Sequence, residues 1–275
     1  MMVWRSHLYW HKNFSVRIIT LTTDFDTRDW FVGTMKGVVL GINPRAVIVD
    51  ITHGVPPGNI RAGAFSLMAA CRFFPKGTVH VAVVDPGVGG GRRAIAVQTT
   101  DHVFVGPDNG VLSWALMREK IKSIRRLDNP KYFLKSISRT FHGRDIFAPV
   151  ASHLSRGLAP AKLGREIKEF VGIPWPEPTQ RSAGVCGEIV HVDRFGNAIT
   201  NIGAGLVGKG RKGVCEVGGK HKLRCILAPF YGAVPANSPV AVMGSSGFLE
   251  IAVNSGSAAQ EFGLQIGDAV NVQLD

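Results

Sequence analysis

The chain has 275 residues, 45% of them hydrophobic, with 33 glycines and 15 prolines. That is enough for one large domain or two ordinary ones, and so much glycine argues for many tight turns rather than a helical bundle. No apolar run is long enough to cross a membrane; the formal charge of +12, from 32 basic and 20 acidic residues, raises nucleic acid as a partner.

Residues 1–16, MMVWRSHLYWHKNFSV, are basic and aromatic. They lack the apolar centre and small-residue cleavage site of a signal peptide, so they are expected to be a short extension ahead of the first domain. Strand and helix then alternate. Arg17 to Leu21 predicts a strand that runs into TTDFDT, with Asp24 at its carboxyl end. A helix is expected from about Arg28 to Ile42, with Asp26 or Thr27 as its N-cap and Pro44 beyond its end. Ala46 to Ile51 is a second strand. Asn59 can cap a second helix whose apolar positions are Ile60, Ala64, Leu67, Met68 and Cys71.

The third strand, Val79 to Val84, leads into Asp85, a proline and a glycine-rich loop that reaches Arg92. A β-α-β-α-β order predicts a mostly parallel, doubly wound α/β sheet. In such sheets ligands bind beyond the carboxyl ends of the strands, where both Asp24 and Asp85 fall. An acid and a guanidinium facing each other over a folded loop can hold and polarise a small nucleophile. On this stretch alone, a structural salt bridge at a strand end fits equally well.

Ala94 to Gln98 and His102 to Val105 follow as a hairpin, and Asp108-Asn109-Gly110 is expected to form a turn that caps a helix. Arg118, Lys120, Lys122, Arg125, Arg126, Lys131, Lys135 and Arg139 crowd the next stretch. Without an RNA-binding aromatic signature or a recognition helix, they are expected to form a solvated basic face, which argues against nucleic acid as a partner. In FHGRDIFAPVASHL, His142 lies on the loop before a helix and Asp145 near its first turn. The cysteines Cys71, Cys186, Cys215 and Cys225 have no metal-binding spacing. Cys215 and Cys225 could oppose each other across a hairpin, but no disulfide framework is implied, in keeping with a reducing cytoplasm.

Residues 17–175 are thus expected to form an α/β domain. Residues 176–184 fall in a stretch with three prolines within Gly172 to Gly184 and are expected to be a linker. Residues 185–275 are expected to form an all-β, barrel-like domain. Its strands are Val185–Val192, Ala198–Ile202, Gly213–Val217, Lys222–Leu227, Pro239–Met243, Phe248–Val253 and Ala269–Leu274.

Six motifs occur in order: LTTDF, VVDPGVG with its arginine, PDNG, FHGRDIFAP, DRFGNAITN and SSGFLEIA. Together they resemble the S-adenosyl-L-methionine hydroxide adenosyltransferases, relatives of the fluorinating and chlorinating nucleophilic halogenases, over about Val16 to Asp275. The resemblance implies a trimer with active sites between the α/β domain of one subunit and the barrel of its neighbour. It implies a cofactor-free, metal-free reaction in which water or hydroxide displaces methionine from the ribose C5′, giving adenosine and L-methionine. It places the catalytic set on Asp85, Arg92 and His142 and the ribose-binding acid on Asp24. Asp193, Asn197 and Ser245 would hold the methionine end and the adenine, with Phe195 against the ligand and the backbone of Ser246, Val253 and Ser255 near the purine. A tryptophan that lines the fluorinating relatives' pocket is replaced here by Gly58.

The chemistry suits these residue types. A sulfonium leaves as a neutral thioether and needs no acid; the site must supply an oriented, partly deprotonated water. Asp85 can accept the proton, Arg92 can orient Asp85, and His142 can hold the water. A carboxylate beside C5′ would repel a halide by several kcal/mol at short range, so Asp85 favours hydroxide over the halogenase alternative. A second alternative is a non-catalytic S-adenosylmethionine or adenosine-binding protein.

Overall fold

The computed structural model describes residues 18–182, 184–208, 213–218 and 223–274; the extension expected at 1–16 lies outside the described residues. The chain divides between Ile173 and Pro174 into two compact units.

The first unit contains β1 (Ile18–Thr23), α1 (Phe31–Ile42), β2 (Val47–Thr52), α2 (Ile60–Cys71), β3 (Val79–Val83), β4 (Ala94–Thr99), β5 (Val103–Pro107), α3 (Ser113–Leu116), β6 (Ile121–Arg126), α4 (Ala148–Ser155) and β7 (Glu166–Ile167). Its sheet has the order β2-β1-β3-β5-β4-β6-β7. The strands β2, β1, β3 and β5 run parallel, and β4 turns back beside β5 as the expected hairpin. Every residue of β3 is buried, as a central strand covered on both faces requires. Met35 and Val39 of α1 pack with α4 against one face. Leu67 and Cys71 of α2 pack with α3 against the other, so the sheet is doubly wound as expected. Thr23 of β1 pairs with Val83 of β3. That register makes the Asp24 and Asp85 turns leave the sheet side by side at its carboxyl end.

Two local expectations change. The first helix begins at Phe31, after Trp30, and has no side-chain cap. Asp26 instead adopts a left-handed backbone, φ 56°, and its carboxylate closes its own turn on Thr27 N (2.5 Å) and Arg28 Nε (2.8 Å). The Asp108-Asn109-Gly110 turn forms, with Asn109 Oδ1 accepting from Val111 N at 3.2 Å, but α3 starts after Leu112 without a side-chain cap. Asp108 is drawn away to Arg93 and Val171 N. Asn59 does cap α2, accepting from Ala62 N at 3.0 Å.

The second unit contains β8 (Thr179–Arg181), β9 (Gly184–Val192), β10 (Ala198–Gly203), α5 (Ala204–Val207), β11 (Gly213–Val217), β12 (Leu223–Ala228), β13 (Pro239–Met243), β14 (Phe248–Val253), α6 (Ala258–Phe262) and β15 (Ala269–Leu274). Hydrogen bonding runs β9-β10-β14-β13-β12-β11-β15 and returns to β9, a closed seven-strand barrel that leaves none of these strands an unpaired edge. The stretch expected as a linker carries β8, which adds antiparallel to β9. Alternate residues of β11 and β12 turn inward, so Cys215 and Cys225 face each other inside the barrel as buried thiols. Among the described residues no helix is long and apolar enough to cross a membrane.

Candidate active site

Asp85 leaves the sheet just after β3, and Arg92 stands two residues before β4. The loop between them folds back so that Arg92 Nε lies 3.0 Å from both Asp85 oxygens, and Nη2 also donates to Oδ2. Both side chains are buried, 12% exposed for Arg92 and 5% for Asp85, so this is a desolvated, forked ion pair. Arg92 Nη2 also lies 2.7 Å from His142 Nδ1. A guanidinium only donates, so Nδ1 must present a lone pair, and the imidazole is neutral with its proton on Nε2. Burial, followed by the nearby Arg92 charge, holds the His142 pKa below its ordinary value, in agreement with that tautomer. The sequence leaves this protonation state open; the contact with Arg92 decides it.

Several neighbours hold this arrangement. The Arg92 guanidinium lies 5.5 Å over the buried Phe147 ring. Gly89 has φ 77°, and a β-carbon there would sit 2.2 Å from the Arg139 carbonyl oxygen. Only glycine therefore lets the Asp85–Arg92 loop pack onto the segment that carries His142. His142 immediately precedes a π-helical turn, Gly143–Phe147. Within that turn the buried Asp145 accepts from Ser138 N at 2.7 Å and Arg144 Nε at 2.5 Å. Burial alone would raise the Asp145 pKa, but Arg144 and the Ser138 N–H outweigh it and hold it low. Sequence reasoning missed Gly89 and Phe147 as supports; only the crowding against Arg139 and the ring under Arg92 identify them.

Asp24 follows β1, and its Oδ2 accepts from Gly58 N at 2.8 Å. Gly58 in turn lies against Pro86: a β-carbon on Gly58 would meet the Pro86 β-carbon at 3.8 Å, ordinary contact distance. The turns bearing Asp24 and Asp85 are therefore linked through Gly58.

The second unit brings together another group. Asp193 Oδ1 accepts from Phe195 N and Asn197 N, both at 2.9 Å, and Oδ2 accepts from Asn197 Nδ2 at 3.0 Å. With its amide nitrogen engaged, Asn197 has Oδ1 to offer a ligand donor. Gly196 packs on Ser257, and Ala259 N donates to Gly196 O at 2.9 Å. The Asp193–Asn197 turn thus lies beside the segment that follows Val253, in which Ser255 has φ 64°. Phe195 is 76% exposed. Ser245 and Ser246 lie in the β13–β14 turn, at the opposite end of β14 from Val253 and Ser255.

The SAM hydroxide adenosyltransferase N-terminal domain matches residues 19–164, and the C-terminal domain of the same family matches residues 187–271. The chain belongs to the SAM hydroxide adenosyltransferase family. Among this family's hydrolases, the "(R)-S-adenosyl-L-methionine hydrolase" of Thermus thermophilus is 39% identical, over 94% of this chain and 100% of that one. A crystal structure of an uncharacterized conserved protein from Thermotoga maritima superposes with a TM-score of 0.87 at 39% identity, over 93% of this chain and 99% of that one. A "Fluorinase" of Actinoplanes sp. is more distant, 27% identical over 93% of this chain and 97% of that one. In this hydroxide adenosyltransferase family member, Asp85, Arg92 and His142 meet in one cluster, while Asp193, Phe195, Asn197, Val253 and Ser255 gather in the other unit.

Proposed function

We propose that this protein hydrolyses S-adenosyl-L-methionine to adenosine and L-methionine, with Asp85, Arg92 and His142 as the water-activating set. The observation that carries the reading is the single guanidinium shared by Asp85 and His142. It aligns the carboxylate and leaves the His142 Nε2–H to donate to a water oxygen. Asp85 Oδ1, bound only by Arg92 Nε, keeps a lone pair for the water's proton. As the O–C5′ bond forms, the C5′–S bond breaks and its electron pair stays on sulfur, giving a neutral thioether. The proton passes to Asp85 and then to solvent. The substrate's sulfonium is already a good leaving group, so the step calls for no cofactor or metal.

Asp24 accepts the ribose hydroxyls, Asn197 Oδ1 accepts from the adenine amine, and the backbone at Val253 and Ser255 borders the purine with Phe195 against it. Asp193 attracts the methionine ammonium, and Ser245 serves the methionine end. The groups for the reacting ribose and those for the two ends of the substrate belong to different units. This separation agrees with sites shared between subunits, as in the homotrimer that the resemblance of the motifs implies. Four unpaired thiols fit a cytoplasmic setting.

Purified protein incubated with S-adenosylmethionine in H₂¹⁸O is expected to release equimolar adenosine and methionine, with the label in the adenosine 5′-hydroxyl by mass spectrometry. Unlabelled adenosine, or 5′-chloro-5′-deoxyadenosine when chloride is added, contradicts the reading. The pH profile gives a second check. His142 works as the neutral form, and its folded pKa is lowered, so activity is expected to persist below pH about 6.5, the ordinary imidazole value, and to fall only as pH drops through the lower folded pKa. An acid limb of kcat at or above 6.5 that disappears in His142→Gln contradicts the neutral-imidazole assignment.

A further inference from the structure

The turn that carries Asp24 is tied on both sides to one histidine, His53, which follows β2 directly. His53 is 6% exposed and Thr23 is fully buried. Thr23 Oγ1 and His53 Nδ1 are 2.8 Å apart, and the Phe25 amide donates to the same Thr23 oxygen at 3.2 Å. On the other side of Asp24, the Asp26 amide donates to the His53 carbonyl at 2.8 Å. His53 Nε2 lies at ion-pair distance, 3.1 Å, from Asp50 Oδ1, and Asp50 Oδ2 is held by Lys36 Nζ at 2.6 Å.

One hydrogen position follows from the donor inventory. A carboxylate only accepts, so the Nε2 that faces Asp50 at ion-pair distance carries a proton. Thr23 Oγ1 and His53 Nδ1 share one hydrogen bond, and the Thr23 oxygen also accepts from the Phe25 N–H. The contacts from Lys36 through Asp50, His53 and Thr23 end on the amides of Phe25 and Asp26, the two residues that follow Asp24. His53 meets this turn through Nδ1, against Thr23 Oγ1, and through its carbonyl, which accepts from the Asp26 N–H.

We infer that His53, acting through Thr23 and Asp50, is a positioning residue that orients the Asp24 carboxylate toward the ribose diol. The inference rests on the role given to Asp24 under Proposed function. Because it concerns recognition of the diol rather than water activation, loss of His53 should raise KM and leave kcat at saturation nearly unchanged.

The test is calorimetric binding of adenosine and 2′,3′-dideoxyadenosine to the wild type, His53→Ala, Thr23→Val and Thr23→Ser. The wild type is expected to prefer adenosine. His53→Ala and Thr23→Val are expected to weaken adenosine binding about tenfold, the lower end of what one hydrogen bond to a charged group contributes, with little change for the dideoxy compound. Thr23→Ser, which keeps the hydroxyl, should retain the preference. If both His53→Ala and Thr23→Val keep the wild-type ratio of affinities, the inference is overturned while the role of Asp24 stands. If the wild type itself shows no preference, the role of Asp24 is wrong and the inference falls with it. Should His53→Ala not fold, the Thr23→Val and Thr23→Ser pair decides the question alone.

Discussion

Replacing Asp85 with Asn is expected to slow hydrolysis by about 10²-fold or more, the usual scale for a positioned general base. The two side chains have the same size, but Asn has one acceptor oxygen where the carboxylate has two. Arg92 Nε reaches both Asp85 oxygens at 3.0 Å, so one of its contacts would meet an amide N–H instead. The variant therefore loses both the proton acceptor and the alignment of the fork. Substrate affinity should change by only a few-fold, because Asp24 and the barrel groups carry recognition and Asp85 acts chiefly in the transition state. Single-turnover hydrolysis measured beside calorimetric affinity checks this. Wild-type turnover in Asp85→Asn would reduce the ion pair to a structural salt bridge at a strand end.

Removing the guanidinium should do more damage. Arg92→Ala leaves Asp85, whose side chain is only 5% exposed, as a buried charge with no partner, and takes the donor from His142 Nδ1. Breaking a buried pair from one side typically destabilises by about 3–5 kcal/mol, and turnover is expected to fall by about 10²-fold or more as both water-holding groups lose their orientation. Arg92→Lys separates the two effects. An ammonium restores the positive charge but is a point donor on a flexible stem and cannot reproduce the planar fork that meets two Asp85 oxygens and His142 together. Urea titrations should show much of the stability recovered in Arg92→Lys, while kcat stays near that of Arg92→Ala. Full turnover in the lysine variant would show that charge alone suffices and that the bridge to His142 is unnecessary.

Much of this protein is legible in its amino-acid order because the signals are local. The apolar runs of β1 and β3 place Asp24 and Asp85 at strand ends, and alternation in the second half marks barrel strands that pair with near neighbours. Asn59 is recognised as a cap because its partner, Ala62 N, lies three residues away. Asp26, which has the same capping chemistry, does not cap α1: its amide is drawn to the His53 carbonyl, well beyond the reach of a local turn, and its backbone turns left-handed. Local propensity gives way there to a contact that exists only once β1 and β2 are side by side.

The amino-acid sequence by itself determined the α/β sheet and the succession of barrel strands, since both depend on residue type and short-range periodicity; the choice of Asp85, Arg92 and His142 as a set came from the resemblance of its motifs to a family. The tertiary structure alone decided the tautomer of His142, whose ring meets Arg92 across 50 residues, and the need for Gly89, which is set by the Arg139 carbonyl against it. It also decided the binding of Thr23 and Asp50 to His53. A hydrogen-bond direction or a forbidden β-carbon is a property of two groups brought within about 3 Å, and chain order does not determine which distant groups will meet.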